Sequence, residues 1–226
     1  MGWGMNRLFL ILAAVAAVLL TPEISFADQE ACARAVAQVE RSAGVPPRLM
    51  QAIALAESGR WDADKRASSA WPWTVNAEGQ GRFLPTKEAA IAEVQRLTAR
   101  GVRSIDVGCM QINLMHHPDA FGSLEDAFDP LKNAMYASEF LHELYAARKS
   151  WPEAVARYHS ATPELHEPYR KRVYALWNGP QVQTAAAAAG AVPGAMSSRA
   201  FLPRGGTNNW VVMRGRILQV NTIGRR

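Results

Sequence analysis

The sequence predicts a mainly α domain with one small β element. Three observations predict it. Apolar residues recur at helical spacing through most of the stretch from residue 28 to residue 180. Capping residues or prolines open these segments, and several are closed by glycine. Extended residues flanking a cluster of turn chemistry stand out between Trp71 and Leu84.

Taken in order, Asp28 can cap a first helix over about Gln29 to Ser42, with Gly44 as its stop signal. Pro46-Pro47 then opens a second helix, as prolines do in a first turn, which runs to about Ser58 and is ended by Gly59. Met50, Ile53, Ala54 and Glu57 share one face of it, apolar until its last member. Trp71 to Val75, the turn residues Asn76 to Gly81, and Arg82 to Leu84 read as a β-hairpin. Thr86 caps a helix to about Ala99, closed by Gly101, and Val102 to Val107 offers a short third strand. Ser123 caps a short helix. Asp129-Pro130 opens a longer one to about Lys149, Trp151-Pro152 another through His159, and a last helix spans about Pro168 to Trp177.

The ends read differently. Arg7 precedes the unbroken apolar run Leu8 to Leu20, and Ser25-Phe26-Ala27 resembles a cleavage site. Residues 1–27 therefore read as a secretory signal peptide that delivers the rest to the periplasm. The alternative is a membrane anchor, but a span takes about 20 apolar residues, more than this run holds. Residues 181–200 are an Ala/Gly/Pro linker. Residues 201–226 are short, basic and partly apolar, too few for a core of their own. The chain of 226 residues has a net charge of +5, yet six arginines and no acid lie beyond Pro180, which leaves residues 28–180 near neutral. With no basic stripe in the domain, nucleic acid is not an expected partner. The two cysteines, Cys32 and Cys109, permit one disulfide in an oxidising compartment; two buried thiols are the alternative.

Glu57 carries the most chemistry. It sits near the C-terminal end of an apolar stripe, where desolvation and the negative end of the helix dipole both favour the protonated carboxyl. A neutral carboxyl is what a glycosidic oxygen needs as proton donor. A solvent-facing glutamate at a helix end is the other reading of the same spacing. Two further segments follow: Gly108-Cys109-Met110-Gln111-Ile112-Asn113, and Ala156-Arg157-Tyr158-His159-Ser160.

Glu57-Ser58, Gly-x-Met-Gln-Ile at Gly108 to Ile112, and Tyr158 in an Ala-bearing helix, in that order, resemble the soluble lytic transglycosylases of the lysozyme-like superfamily. The resemblance covers about Cys32 to Trp177. It implies an α+β lysozyme-like helical bundle around a sugar-binding cleft, with peptidoglycan glycan strands as substrate. It also implies Glu57 as the single catalytic acid/base. Ser58 would support the glutamate or the substrate, Gln111 would hold sugar and local backbone, Met110 would shape the cleft, and Tyr158 would bond near the glutamate. The family's Tyr-Asn is Tyr158-His159 here, so His159 can replace a polar contact. Asp106 is a second carboxylate and a candidate helper, with a turn-stabilising role as the alternative. Trp61, Trp71 and Trp73 can stack on sugars or pack in the core; Trp73 is counted with the substrate-binding candidates.

The implied reaction is a lyase step at the bond between N-acetylmuramic acid and N-acetylglucosamine, closing a 1,6-anhydro ring. Two other readings stand beside it: a hydrolysing muramidase on the same fold, and a non-catalytic peptidoglycan-binding assembly factor. Specialised members open the wall for a flagellum or secretion machine, which makes an envelope-spanning assembly a candidate partner for the tail. No cofactor or metal is expected. His142-Glu143 begins a zinc-protease pattern, but Ala146 stands where the second histidine belongs.

Overall fold

The computed structural model describes residues 26–180 and the strands Asn209–Met213 and Arg216–Val220. The expected signal peptide, apart from its last two positions, and the whole expected linker lie outside the described residues.

The domain is mainly helical, as predicted. Helix α1 (Phe26–Ala43) leads to α2 (Leu49–Ser58), then to a hairpin of β1 (Gly59–Asp62) and β2 (Ala67–Ala70). Strands β3 (Thr74–Ala77) and β4 (Gln80–Phe83) precede α3 (Lys87–Ala99), and β5 (Ile105–Val107) and β6 (Ile112–Asn113) follow it. Helices α4 (Leu124–Ala127), α5 (Pro130–Arg148), α6 (Trp151–His159) and α7 (Pro163–Trp177) complete the domain. The sheet order is β4-β3-β5-β6, antiparallel throughout, with Val75 opposite Val107 and Asp106 opposite Asn113.

Three boundaries depart from expectation. Pro46-Pro47 lies before α2 rather than in it, because Arg48 takes a left-handed φ of 68° and the helix starts at Leu49. An N-terminal amide is capped from another helix: Met50 N donates to Glu40 Oε1 at 2.7 Å, and the Gln51 side-chain Nε2 donates to Oε2 at 3.1 Å. Gly59 does not end α2 in a left-handed turn. Its φ is −62°, and it is needed because a Cβ there would collide with the Leu55 carbonyl as the chain turns into β1. That strand and its partner were not anticipated; Asp62 Oδ1 turns them by accepting from Asp64 N at 3.0 Å and Lys65 N at 3.1 Å. Helix α7 begins at Pro163, five residues early, and carries Pro168 inside it. The buried side chains of His166, Tyr169 and Val173 hold that helix across the missing N–H. The tail supplies a further strand pair, β7 (Asn209–Met213) and β8 (Arg216–Val220), with Met213 opposite Arg216.

Two apolar cores flank one turn. The larger gathers α1, α2 and α5–α7 around Val36, Leu49, Ile53, Leu141 and Val173. The smaller sets α3 against the sheet through Trp71, Val75, Val94, Ile105 and Phe128. Between them runs the turn 107–111, held from nearly every side. Cys109 is bonded to Cys32 of α1, with Cα atoms 5.5 Å apart, so the expected disulfide is present. Ser58 Oγ of α2 donates to the Cys109 carbonyl at 2.7 Å. Tyr158 Oη of α6 donates to the Met110 carbonyl at 2.8 Å. Fully buried Asn133 of α5 accepts from Met110 N at 2.8 Å and donates to the carbonyls of Val107 at 3.1 Å and Ala127 at 3.0 Å. Gly108, at φ 82°, lies so close that a Cβ would meet Asn133 Nδ2 at 2.5 Å. Asn133→Ala strands three buried backbone groups and is expected to lower stability by about 3 kcal/mol in urea unfolding.

Candidate active site

A groove of about 810 Å³ is lined by the sheet and by helices α5 and α6. The sheet contributes Asn76, Asp106 and Asn113 to one side, and α5 and α6 contribute Phe140, Leu144, Arg157, Tyr158 and His159 to the other. Glu57, the penultimate residue of α2, lines it as well.

Glu57 is only partly accessible from the groove, and protein surrounds most of its carboxyl. Burial raises its pKa from 4.5 to about 7, a nearby Tyr169 hydroxyl pulls it down, Asp106 pushes it up, and Arg172 pulls it down. The carboxyl is therefore substantially protonated at neutral pH. The Tyr169 hydroxyl is buried beside it with no other protein partner, and its hydrogen-bonding pull on the carboxylate is what lowers the Glu57 pKa. Burial and the neighbouring Glu57 charge hold both Tyr158 and Tyr169 well above the ordinary tyrosine range, so both remain neutral donors.

Asp106 is fixed on β5 by two amides, Asn76 Nδ2 at 3.0 Å from β3 and Asn113 Nδ2 at 2.8 Å from β6. Burial raises its pKa, and the two amides lower it. His159 stacks on Tyr169 with ring centroids 4.7 Å apart and an interplanar angle of 13°. Burial depresses its pKa, Asp106 raises it and Arg172 lowers it. Gln111 holds a left-handed φ of 49° at the groove edge, a conformation that costs a bulky residue about 1 kcal/mol. Its Nε2 donates to the carbonyls of Gly108 at 3.0 Å and Thr74 at 3.1 Å, so the amide braces the turn.

The structure brings Glu57, Asp106, Gln111, Tyr158 and His159 to one groove and leaves three expected residues out of it. Ser58 is fully buried and spends its hydroxyl on the Ala54 and Cys109 carbonyls, so it supports the glutamate's helix rather than substrate. Met110 is fully buried in the larger core, behind the groove wall. Trp73 is buried with Trp71 in the smaller core, because the aromatic segment packs onto α3 instead of facing sugar. Trp71 Nε1 donates to the Leu84 carbonyl at 2.7 Å, and the Arg60 guanidinium lies over its ring at 3.9 Å. Trp61 is 60% exposed on β1, outside the groove.

Sequence reading missed Tyr169, Asn76, Asn113 and the pair His116 and His117. For Tyr169 a signal exists: with Val173, four residues on, it forms the buried stripe of an otherwise charged helix. His117 Nδ1 bonds Tyr136 Oη at 2.8 Å and its ring meets Phe140 at 4.6 Å.

A model of the transglycosylase SLT domain matches residues 34–173. Neither the curated proteins nor the solved structures return a match. The matched span holds α2, the braced turn, α6 and most of α7, and with them every groove residue described above; the chain belongs to the transglycosylase SLT domain family, with the mainly α, lysozyme-like fold of that domain and peptidoglycan as its substrate.

Proposed function

We propose that this protein is a lytic transglycosylase that cleaves the β-1,4 bond between N-acetylmuramic acid and N-acetylglucosamine with Glu57 as its one acid/base. Glu57 donates its proton to the glycosidic oxygen, and the N-acetylglucosamine leaves with that proton as its hydroxyl. The carboxylate left behind takes the proton of the muramyl C6 hydroxyl, whose oxygen bonds the anomeric carbon and closes a 1,6-anhydro ring. Glu57 is reprotonated and no water is consumed. The observation that carries this reading is a carboxyl with a pKa of about 7 on the wall of a sugar-sized groove. A group poised near the working pH serves as acid first and base second.

Digestion of purified peptidoglycan followed by mass analysis of the muropeptides tests it. Products lighter by one water than reducing muropeptides are expected. Reducing muramic acid would support the second reading, a hydrolysing muramidase, which the Asp106 carboxylate in the same groove favours. Equal wall lysis by wild type and Glu57→Gln would remove Glu57 from the mechanism, whereas no lysis by wild type would favour a binding factor.

The pH profile gives a paired prediction. Glu57 must begin protonated, so kcat/KM falls as pH rises through its pKa. The Asp106 charge raises that pKa, so Asp106→Asn moves the alkaline limb to lower pH. The Tyr169 hydroxyl lowers it, so Tyr169→Phe moves the same limb to higher pH. Opposite shifts in kcat/KM against pH are the expected outcome.

Export by residues 1–27 and partner docking by the basic tail belong to the same proposal. Among the described residues no helix is long and apolar enough to cross a membrane. Capture of an envelope component by residues 201–226 would support service to a flagellum or secretion machine.

A further inference from the structure

The groove continues past Glu57 along α5. Phe140 meets the Tyr158 ring with centroids 5.5 Å apart. Leu144 and Arg148 follow at intervals of four on the same helix face, which carries Arg148 about 12 Å along the axis from Phe140. Arg157 of α6 lines the same cavity.

These two cations are poorly neutralised. Among the described residues no carboxylate forms an ion pair with Arg148. Arg157 Nε is buried and has no hydrogen-bond partner. Its nearest carboxylate, Glu153 Oε2, lies at 3.9 Å, too far for a hydrogen bond, and Glu153 is shared with Arg170 at 3.7 Å. The enclosed Nε lacks an acceptor, which is costly, and the part of Arg157 that lines the groove has no hydrogen bond to any described residue, so it is free to meet a ligand. The guanidinium fork matches a carboxylate with two parallel hydrogen bonds.

We propose that Arg148 and Arg157 form a carboxylate-binding subsite that holds the acid groups hanging from a muramic acid residue. This rests on the peptidoglycan reading above, because the glycan's own rings carry no charge. Two sources share that chemistry: the stem-peptide carboxylates, and the lactyl carboxylate exposed when the peptide is stripped. The subsite selects muramic acid over N-acetylglucosamine at one position of the groove and so sets which glycosidic bond lies at Glu57.

Binding to the full Glu57→Gln chain tests this without consuming the ligand. Three soluble fragments of equal length serve as probes: peptide-bearing glycan, glycan stripped to the lactyl carboxylate, and an N-acetylglucosamine oligomer. Carboxylate-bearing fragments are expected to bind roughly tenfold tighter than the oligomer, with the difference shrinking at high salt. Adding Arg148→Gln and Arg157→Gln is expected to erase the difference while oligomer binding persists. Tighter binding of the peptide-bearing than of the stripped fragment assigns the stem peptide; tighter binding of the stripped fragment assigns the lactyl group, and equal binding of these two above the oligomer means that either carboxylate fills the subsite. Equal binding of all three probes with both arginines present, binding of none, or a preference that survives their replacement would overturn the subsite. Wall lysis by wild type without any such preference would remove the subsite alone, whereas absence of lysis would remove the function it rests on.

Discussion

Glu57→Gln is expected to cost at least roughly a thousandfold in wall lysis, at the upper part of the range for removing a general acid that also serves as base. The same change is expected to stabilise the protein, and the sign follows from the titration. An unfolded glutamate ionises near 4.5 and the folded one near 7. Below the lower value both states are protonated and charge costs nothing. As pH rises through the interval, the folded protein keeps a proton that the unfolded chain has lost, and this costs stability, up to about 3 kcal/mol above the folded pKa. Glutamine avoids that cost. Urea unfolding should therefore find Glu57→Gln near wild type at pH 4.5 and markedly more stable at pH 8. A variant that is dead but unchanged in stability at both pH values would mean that Glu57 titrates as an ordinary surface acid.

The second large effect concerns the disulfide. Cys32 and Cys109 are 77 residues apart in sequence. Cross-linking so long a loop restricts the unfolded chain by about 4 kcal/mol in the chain-entropy account. The bond also fixes Cys109 beside Met110, whose carbonyl receives Tyr158 and whose amide is held by Asn133. The double variant Cys32→Ser, Cys109→Ser is expected to unfold at a clearly lower urea concentration, and its lytic activity to fail at a lower temperature than its loss of helix alone would give. A reductant should reproduce both effects on the wild type and neither on the variant.

Much of this was legible because the informative residues are short-range signals. The caps Thr86, Ser123 and Asp129 each accept a backbone N–H at the start of a helix, as their chemistry predicts. Glu57, Gly108 to Ile112 and Tyr158 are far apart in sequence yet meet at one turn, and their order alone pointed to a common site. What stayed hidden depends on long-range contact. The start of α2 is set by Glu40 reaching from α1, which no local propensity of Pro46-Pro47 reveals. The β1–β2 hairpin lacks alternating apolar residues, and its sign is one Asx turn at Asp62. For Trp71 and Trp73 sugar stacking and core packing stay open in the sequence, because it cannot tell which side of a strand faces a groove; α3 covers them. Tyr169 stands eleven residues past Tyr158 in a charged helix, and only the fold returns it to Glu57.

A carbon-detected NMR titration of the Glu57 side-chain carboxyl, assigned by comparison with Glu57→Gln, is the most direct measurement. A midpoint near 7 is predicted, with the resonance shifting upward in pH in Tyr169→Phe and downward in Asp106→Asn. A midpoint near 4.5, unmoved by either change, would contradict a neutral carboxyl poised to protonate the glycosidic oxygen.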